Sequence, residues 1–418
     1  MPEFQTSPGT RDIMAPESTR FRAFVTTFAE IVESAGYGEI VPPMFEDLGV
    51  FLRIGEATDV VTKEMYDFRD KGGRHVALRP ELTAGVVRAF VQHSPLTPWK
   101  VWYAGPSFRY EKPQHGRYRQ FDQVGVEVLG VDDPYVDVEV IALAWRFYER
   151  LGLRRVRLLL NSLGTPDERQ RYVDSLRGYF EANLDALSPE SRTTLTRNPL
   201  RVLDSKREQD AEVIEAAPKI AGCWSDESAG HFETVCGGLQ ALGVEYTLAP
   251  RLVRGLDYYR RTTFEFVAEA LESAQNAVGG GGRYDGLAED LGGSPTPGIG
   301  FALGVDRTLL ACDAEGAFPA PDVAPQVFVV DTTGGREALL LTSELRAVGL
   351  RVDRAFENRS MKSQMKAADR SAAQLAVIVG TNERDDDTVV VRPLRGSGEQ
   401  IVIPRVSLLD TVRKHLEP

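Results

Sequence analysis

Two long β-strand patterns separated by a basic loop constrain the fold of this chain more than any other feature. Residues 101–105 form the first pattern, and residues 120–129 form the second, in which polar and apolar positions alternate. Because alternate side chains of a strand point to one face, Phe121, Gln123, Gly125 and Glu127 are predicted to share a sheet face, with Gly125 leaving room for a ligand. The intervening loop, residues 112–119, carries three Lys or Arg residues and no acid. The pattern favours a ligand with phosphates at one end and an amine at the other; a solvated hairpin is the alternative.

A second conspicuous stretch covers residues 251–266. It places four arginines, Asp257 and two tyrosines within eleven residues. Guanidinium groups form forked hydrogen bonds with carboxylate or phosphate oxygens, and phenols bind polar groups. The stretch therefore indicates a site for a small zwitterionic or phosphorylated ligand, with an exposed, charge-paired edge strand as the alternative. Within it, Arg260 and Arg261 are interpreted as ordinary surface charge.

A glycine run at residues 277–287 is followed by a strand pattern that turns into a helix. The run has neither the Lys-Ser/Thr of a phosphate-binding P-loop nor the spacing of a dinucleotide fingerprint. Its glycines would let the backbone approach a ligand closely, while a β-bulge or a loop is the alternative. Residues 298–310 predict a strand of small residues and then a helix that carries Arg307 in its early turns.

Composition limits the class of protein. The length of 418 residues predicts two or three domains. We find no signal peptide, no apolar run long enough for a membrane helix, no CxxC pair and no HExxH spacing, and we expect a cytoplasmic protein without a protein-built metal site. The net charge of −12 argues against indiscriminate nucleic-acid binding. Residues 325–418 contain 14 Lys or Arg against 13 Asp or Glu, so a local nucleic-acid surface is permitted there.

The remaining patterns outline an ordered succession of elements. We predict a helix around residues 21–32, a strand over residues 39–46, a hairpin around residues 70–74, and a helix that begins near Thr83. Residues 165–240 are charged and predicted to form a helical insertion. After an Ala- and Pro-rich linker at 314–325, strands and helices alternate in a way typical of a compact α/β domain with a partly parallel sheet.

Several of these segments together resemble the bacterial-type histidyl-tRNA synthetases, a family of class II aminoacyl-tRNA synthetases. The three class motifs are matched by the helix and strand ending at Pro43, by Phe108-Arg109-Tyr110-Glu111 with its loop and return strand, and by residues 300–307. Two histidine-specific segments match residues 254–259 and 281–286. The resemblance implies an α+β protein: residues 1–324 would form an antiparallel sheet flanked by helices, with the helical insertion, and residues 325–418 an α/β anticodon-binding domain. It also implies a homodimer.

The resemblance further implies that the protein joins histidine to ATP as histidyl-adenylate and transfers histidine to the 3′ end of histidine tRNA. Glu81 and Thr83 would hold the ammonium group, and Gln123 would contact the amino-acid backbone. An imidazole ring has one donor and one acceptor nitrogen and therefore needs a matched pair of protein groups. That pair would be Glu127 and Tyr259, in a pocket that would also include Tyr258 and Tyr284.

For the phosphate end, the resemblance implies that Arg109 binds the α-phosphate of ATP and Arg307 the γ-phosphate, with Arg117 as a further contact. Arg254 would face the α-phosphate from the other side. Arg109 and Arg254 would thus be the catalytic residues, acting by electrostatic stabilisation rather than as nucleophiles. Mg²⁺ would arrive with ATP. Gln114 and Arg117 would contact the tRNA acceptor end.

The sequence departs from the family pattern at three positions and leaves two rival functions. Lys112 stands where Arg is common, His115 where Lys is frequent, and Asp306 where Glu is usual; the lysine keeps the charge but loses the bidentate fork. One rival is the non-catalytic regulatory paralogue that partners an ATP phosphoribosyltransferase, which lacks the C-terminal tRNA domain. The other is a general nucleotide-binding module, which leaves the histidine-specific segments unexplained.

Overall fold

A computed structural model describes residues 4–53, 60–252, 258–271, 276–396 and 398–416. Contacts between Cα atoms divide the chain into two compact units, residues 1–320 and 321–418. Arg254, with the rest of residues 253–257, lies outside the described residues. No described helix is both long enough and apolar enough to cross a membrane.

The described residues of the first unit include eleven strands. They are β1 (Gly38–Glu39), β2 (Phe45–Asp47), β3 (Tyr66–Arg69), β4 (His75–Leu78), β5 (Trp99–Phe108), β6 (Gln120–Leu129), β7 (Val156–Ser162), β8 (Tyr246–Leu248), β9 (Arg260–Ala268), β10 (Ala277–Arg283) and β11 (Gly298–Gly304). Eight of them form one sheet in the order β1-β5-β6-β11-β10-β9-β7-β8, in which only the outer pairs β1/β5 and β7/β8 are parallel. The order β2-β4-β3 makes a small antiparallel sheet.

In the part of this unit that the structure describes, there are ten α-helices. They are α1 (Glu17–Ser34), α2 (Leu48–Leu52), α3 (Thr83–His93), α4 (Pro134–Arg150), α5 (Pro166–Ala182), α6 (Pro189–Arg197), α7 (Glu208–Glu215), α8 (Asp226–Ala241), α9 (Leu287–Asp290) and α10 (Val305–Glu315). Short helical segments other than α-helices also occur at Val60–Glu64, Leu184–Ala186, Pro199–Asp204 and Ile220–Cys223.

Strand β6 divides its side chains between a hydrophobic core and a polar face. Val124, Val126 and Val128 are buried in the core that α1 and α4 complete, whereas Gln123 and Glu127 point to the opposite face. Helix α1 contributes Phe24 and Phe28 to this core, one turn apart. The alternation predicted for residues 120–129 is therefore confirmed.

The segment predicted as one strand over residues 39–46 is two strands in two different sheets. Pro42 and Pro43 lie between β1 and β2, and proline cannot donate to a strand ladder. The buried guanidinium of Arg79 donates instead to the Pro42 and Pro106 carbonyl oxygens, at 2.7 Å each. A side chain thus replaces the missing ladder and joins this segment to β5.

The predicted insertion is helical, but its last helix belongs to the main body. Helix α8 places Phe232, Val235 and Leu239 in the same core as α4. The other insertion helices bury their apolar side chains in a second core that also contains Leu287 of α9. Glu168 at the start of α5 ties the two parts together, because it accepts hydrogen bonds from the Ser225 backbone N–H (2.7 Å) and the Ser228 hydroxyl (2.8 Å).

The second unit is a five-stranded sheet covered on both faces. Its elements are β12 (Val327–Asp331), α11 (Arg336–Ala347), β13 (Val352–Arg354), α12 (Met361–Arg370), β14 (Leu375–Val379), α13 (Thr381–Asp385), β15 (Thr388–Pro393), β16 (Ile401–Pro404) and α14 (Leu408–Leu416). The order is β13-β12-β14-β15-β16, with β13, β12 and β14 parallel and the remaining pairs antiparallel. The predicted partly parallel α/β arrangement is confirmed.

Candidate active site

A cleft opens on the polar face of the large sheet of the first unit. Its walls come from the start of α3, from β6, β9, β10 and β11, and from the first turn of α10. The lining residues predicted from the sequence as site residues are Glu81, Thr83, Arg109, Arg117, Gln123, Tyr258, Tyr259 and Arg307. The sheet thus brings together residues more than two hundred positions apart.

At one end of the cleft, a buried carboxylate meets the first turn of α3. The Glu81 carboxylate accepts the backbone N–H groups of Thr83 and Ala84, each at 2.8 Å. Two of the N–H groups that lack partners at a helix start are satisfied in this way. Burial raises the pKa of Glu81 above its usual range, and these hydrogen bonds oppose that rise. Each oxygen of the carboxylate can accept a further bond, so a ligand ammonium group has an acceptor here.

Gln123 is oriented by a buried hydroxyl on the neighbouring strand. The Ser107 hydroxyl donates to Oε1 of Gln123 at 2.9 Å. Because this bond fixes the orientation of the amide, the Nε2 group of Gln123, which only donates, is the part suited to a bound oxygen. The cleft therefore holds a donor for a carboxylate near its acceptor for an amine.

Glu127 lies behind this end of the cleft and is completely buried. Its Oε1 accepts from the Thr83 hydroxyl at 2.7 Å and from the Tyr103 hydroxyl at 3.1 Å, and its Oε2 accepts from the Tyr284 hydroxyl at 2.5 Å. Burial raises the pKa of Glu127 to about 8, even though the hydroxyl donors act in the opposite direction. Glu127 does not itself line the cleft; Thr83 connects it to the cleft wall.

Three tyrosines pack beside Glu127. The rings of Tyr258 and Tyr259 are 4.6 Å apart, and the Tyr284 ring meets that of Tyr258 edge-on at 6.0 Å. All three are buried, and only Tyr258 and Tyr259 line the cleft. Burial, followed by the charge of Glu127, holds the pKa of Tyr284 well above its usual range, so its hydroxyl remains a proton donor.

The opposite end of the cleft is cationic. Arg109 donates to the Pro80 carbonyl oxygen at 2.9 Å and lies over the Phe121 ring, while Arg307 donates to the carbonyl oxygens of Gly116 and Ala277. Burial lowers the pKa of both guanidinium groups, and the nearby positive charge of Arg117 adds to this effect. Three cations converging on a partly buried space favour a polyanionic ligand.

The loop between β5 and β6 is compact and reaches the cleft through some of its residues only. Gln114 and Arg117 exchange backbone hydrogen bonds of 3.1 and 2.9 Å, and Arg117 forms an ion pair with Glu111. Arg117 lines the cleft, whereas the exposed Gln114 does not. Of the two predicted tRNA contacts, Arg117 therefore also belongs to the cationic end of the cleft, and Gln114 does not line the cleft.

Carboxylates also line the cationic end. Asp306 binds Arg11 of the N-terminal segment at 2.8 Å. Burial, together with the negative charge of Asp306, raises the pKa of Asp122 to about 6. At position 306, where the family usually has Glu, Asp306 is therefore a shorter carboxylate that lines the cleft and pairs with Arg11.

Some important residues escaped prediction and two expectations about this site were wrong. The Tyr103 hydroxyl donates to Glu127, and the Ser107 hydroxyl donates to Gln123. Nothing in the local sequence of Tyr103 or Ser107 distinguishes them from core strand residues. The space above Gly125, expected to accommodate a ligand, is filled by the Tyr103 side chain. Arg261, interpreted as surface charge, is largely buried and binds Asp132 at 2.8 Å. The glycine run forms the interior strand β10, with irregular pairing to β9 near both ends.

The buried arginine of the second histidine-specific segment has a structural role. Arg283 and Asp137 are both fully buried and form an ion pair with a 2.7 Å separation. The guanidinium also donates to the backbone carbonyl of Asp133 at 2.9 Å. This pair joins the end of β10 to the start of α4, immediately before Tyr284.

An antiparallel sheet backed by helices, with a carboxylate-bearing helix start facing three arginines across a cleft, defines the catalytic domain of a class II aminoacyl-tRNA synthetase. The histidyl-tRNA synthetase family model matches residues 9–308, and an anticodon-binding domain model matches residues 326–415. The chain belongs to the histidyl-tRNA synthetase family and is a histidine–tRNA ligase, which uses ATP, histidine and tRNA.

Individual relatives agree with this family. The chain is 48% identical over 413 residues to the histidine–tRNA ligase of Rhodococcus erythropolis, covering 97% of each chain, and 49% identical over 414 residues to that of Corynebacterium urealyticum, covering 98% and 96%. The crystal structure of apo histidyl-tRNA synthetase from S. aureus matches with a TM-score of 0.83 at 35% identity, covering 98% of this chain and 100% of that one. The regulatory-paralogue alternative has less support, since these curated relatives are ligases over nearly their whole length.

Proposed function

We propose that the cleft binds histidine at its Glu81 end and ATP at its arginine end, so that the two substrates meet between them. The observation that carries this proposal is the hydroxyl of Thr83. It donates to Glu127 at 2.7 Å, and its oxygen can still accept a hydrogen bond from a ligand. Thr83 would thus link an ammonium group in the cleft to the carboxylate that we assign to the imidazole ring.

In this arrangement each end of histidine has its own partners. Glu81 and Thr83 would accept from the ammonium group, and Gln123 would donate to the carboxylate. Glu127 would accept from one ring N–H, and Tyr259 would bind the other side of the ring. Since Glu127 is fully buried and does not line the cleft, the ring would reach it only after side chains at this end of the cleft shift.

The adenylation step would be electrostatic. Histidine's carboxylate would attack the α-phosphate of ATP and release pyrophosphate, while Arg109 stabilises the charge that develops and Arg117 and Arg307 bind the outer phosphates. Arg254 as a second catalytic arginine stays a prediction from family resemblance. Among the described residues, no group of three or more His, Cys, Asp or Glu side chains could hold a metal ion, so Mg²⁺ would arrive with ATP and would screen phosphate charge.

Four further assignments accompany this site. The domain boundary is proposed at residues 324/325, Gln114 and Arg117 are proposed to meet the acceptor end of histidine tRNA, and family membership supports a cytoplasmic location.

A homodimer is supported by exposed apolar side chains at the first class motif: Val41 is 79% exposed, and Met44 and Phe45 are more than half exposed. Sedimentation of Val41→Glu beside the unsubstituted protein tests that interface, and an unchanged mass would count against it.

Amino-acid-dependent ATP–pyrophosphate exchange tests the site. We expect exchange with histidine alone, a strongly raised KM for histidine in Glu127→Gln, and a KM for ATP close to that of the unsubstituted protein. Glu212→Gln, on the exposed side of α7, is the matched control. Equal KM values for histidine in the two variants would show that Glu127 does not bind the ring.

Arg254→Ala should lower the exchange rate by about 2.7–4 kcal/mol of transition-state stabilisation, by analogy with a lost oxyanion donor.

A further inference from the structure

We infer that Tyr103 is a positioning residue for histidine selection, which acts by holding the Glu127 carboxylate in the orientation that accepts a ring N–H. Tyr103 is fully buried on β5 and does not line the cleft, so it would not touch the substrate. Its hydroxyl is 3.1 Å from Oε1 of Glu127 and 3.4 Å from the Phe301 carbonyl oxygen. The inference rests on the proposed binding of the ring at Glu127.

The hydrogen-bond capacity of Glu127 explains why this hydroxyl matters. A carboxylate has about four positions for accepting hydrogen bonds. Thr83 and Tyr103 occupy two on Oε1, and Tyr284 occupies one on Oε2. One position on Oε2 remains for a ligand, and a neutral imidazole has one N–H to donate. Without the Tyr103 hydroxyl, Oε1 would keep Thr83 as its only donor among these hydroxyls, and the carboxylate could rotate or take up a proton.

The register of β5 and β6 places a glycine opposite Tyr103 and so leaves space for its side chain. Tyr103 pairs with Gly125 across β5 and β6, and a Cβ atom at position 125 would collide with the tyrosine hydroxyl. The hydroxyl end of the ring therefore lies over Gly125. A hydroxyl held in this way has little freedom to leave the carboxylate, which is what positioning requires.

The charged and titratable groups around Glu127 come from several elements. They are Glu81 before α3, Tyr103 on β5, Tyr284 after β10, Tyr258 before β9 and, more remotely, Tyr37 after α1. Among them, Tyr103 and Tyr284 donate directly to Glu127. Removing the Tyr103 hydroxyl therefore takes a stabilising donor from the ionised carboxylate without removing a charge.

The test is Tyr103→Phe, which keeps the ring and removes only the hydroxyl. We expect the KM for histidine in pyrophosphate exchange to rise about tenfold to hundredfold, as for a lost hydrogen bond to a charged group, while the KM for ATP and kcat change little. The rise of kcat/KM for histidine with pH should also move to higher pH, because Glu127 would ionise less readily. Tyr172→Phe is the control, since that buried tyrosine donates to the Pro218 carbonyl in the insertion.

A double-mutant cycle distinguishes the role of Tyr103 from the proposed binding of the ring at Glu127. In a Glu127→Gln background, Tyr103→Phe should have little additional effect on the KM for histidine. An effect of Glu127→Gln without any effect of Tyr103→Phe would overturn the role of Tyr103 and leave the site assignment intact. No effect of Glu127→Gln would overturn the assignment itself. A lower thermal stability of Tyr103→Phe with unchanged KM values and pH profile would reduce Tyr103 to a packing residue.

Discussion

The Glu127 carboxylate lies directly over the α-carbon of Gly300, its partner on the neighbouring strand β11. A Cβ atom at position 300 would collide with Oε2 of Glu127 and with the Val126 carbonyl oxygen. In the proposed site, the third class motif would therefore contribute to amino-acid binding as well as to the phosphate end of the cleft. Its glycine leaves the space in which the buried carboxylate accepts its hydrogen bonds.

Gly300→Ala should therefore damage histidine binding more than ATP binding. We expect a loss of about 1–3 kcal/mol in the free energy of unfolding, as for an overpacked core, and a KM for histidine that rises more than the KM for ATP. Thermal unfolding and pyrophosphate exchange measure the two effects. Gly178→Ala in α5 is the control, because a Cβ atom there meets open space. Equal increases in both KM values would mean that the substitution disturbs the sheet rather than Glu127.

The raised pKa of Glu127 predicts a pH-dependent enzyme. With a pKa of about 8 in the folded protein, the carboxyl is mostly neutral at lower pH and can accept a ring N–H well only when ionised. We expect kcat/KM for histidine to rise with pH and to level off above about pH 8. A profile that stays flat from pH 6.5 to 8.5 would contradict this prediction.

The raised pKa of Glu127 also predicts how the free energy of unfolding depends on pH. Because the pKa is higher in the folded protein than its ordinary value of 4.5, ionisation of Glu127 opposes folding. Its contribution should make the free energy of unfolding fall as the pH rises from about 4.5 to 8. The difference in unfolding free energy between the unsubstituted protein and Glu127→Gln should carry this slope, and a difference independent of pH would exclude it.

Local sequence patterns predicted the elements well, but not the contacts that complete the site. Alternation along residues 120–129 correctly placed Gln123 and Glu127 on one face, because side-chain direction in a strand is a local property. The pairing of Tyr103 with Gly125, and of Gly300 with Glu127, depends on strand register, which is set by the whole sheet. The Arg79 guanidinium likewise donates to the Pro42 carbonyl oxygen, which is distant in sequence. The residues next to Arg79 in the sequence therefore could not predict this role.

The three arginines predict that a simple polyanion stabilises the protein. Arg109, Arg117 and Arg307 repel one another across the cleft, and a ligand that neutralises them binds the folded state only. We expect inorganic pyrophosphate to raise the melting temperature in a concentration-dependent way, and Arg307→Ala to remove most of that rise. Arg150→Ala, at the exposed end of α4, is the control. If both variants respond to pyrophosphate alike, the anion binds elsewhere.

The insertion should depend on the buried carboxylate of Asp210. This group accepts from the Ser188 backbone N–H (2.7 Å) and from the hydroxyls of Ser188, Ser191 and Ser205. Burial alone would raise its pKa, but these bonds outweigh that effect and lower the pKa to about 2. Asp210→Asn keeps one acceptor oxygen and leaves other donors without a partner, which costs about 1–3 kcal/mol for each buried group.

We therefore expect faster amide hydrogen exchange in α6 and α7 of Asp210→Asn, while histidine-dependent pyrophosphate exchange is retained because the cleft lies elsewhere. Since the folded pKa lies below the ordinary 3.8, the stabilisation is present above about pH 4 and is lost as the pH falls towards 2. Asp185→Asn, an exposed position of the same insertion, should exchange like the unsubstituted protein. Unchanged exchange in Asp210→Asn would show that the four hydrogen bonds do not hold the insertion together.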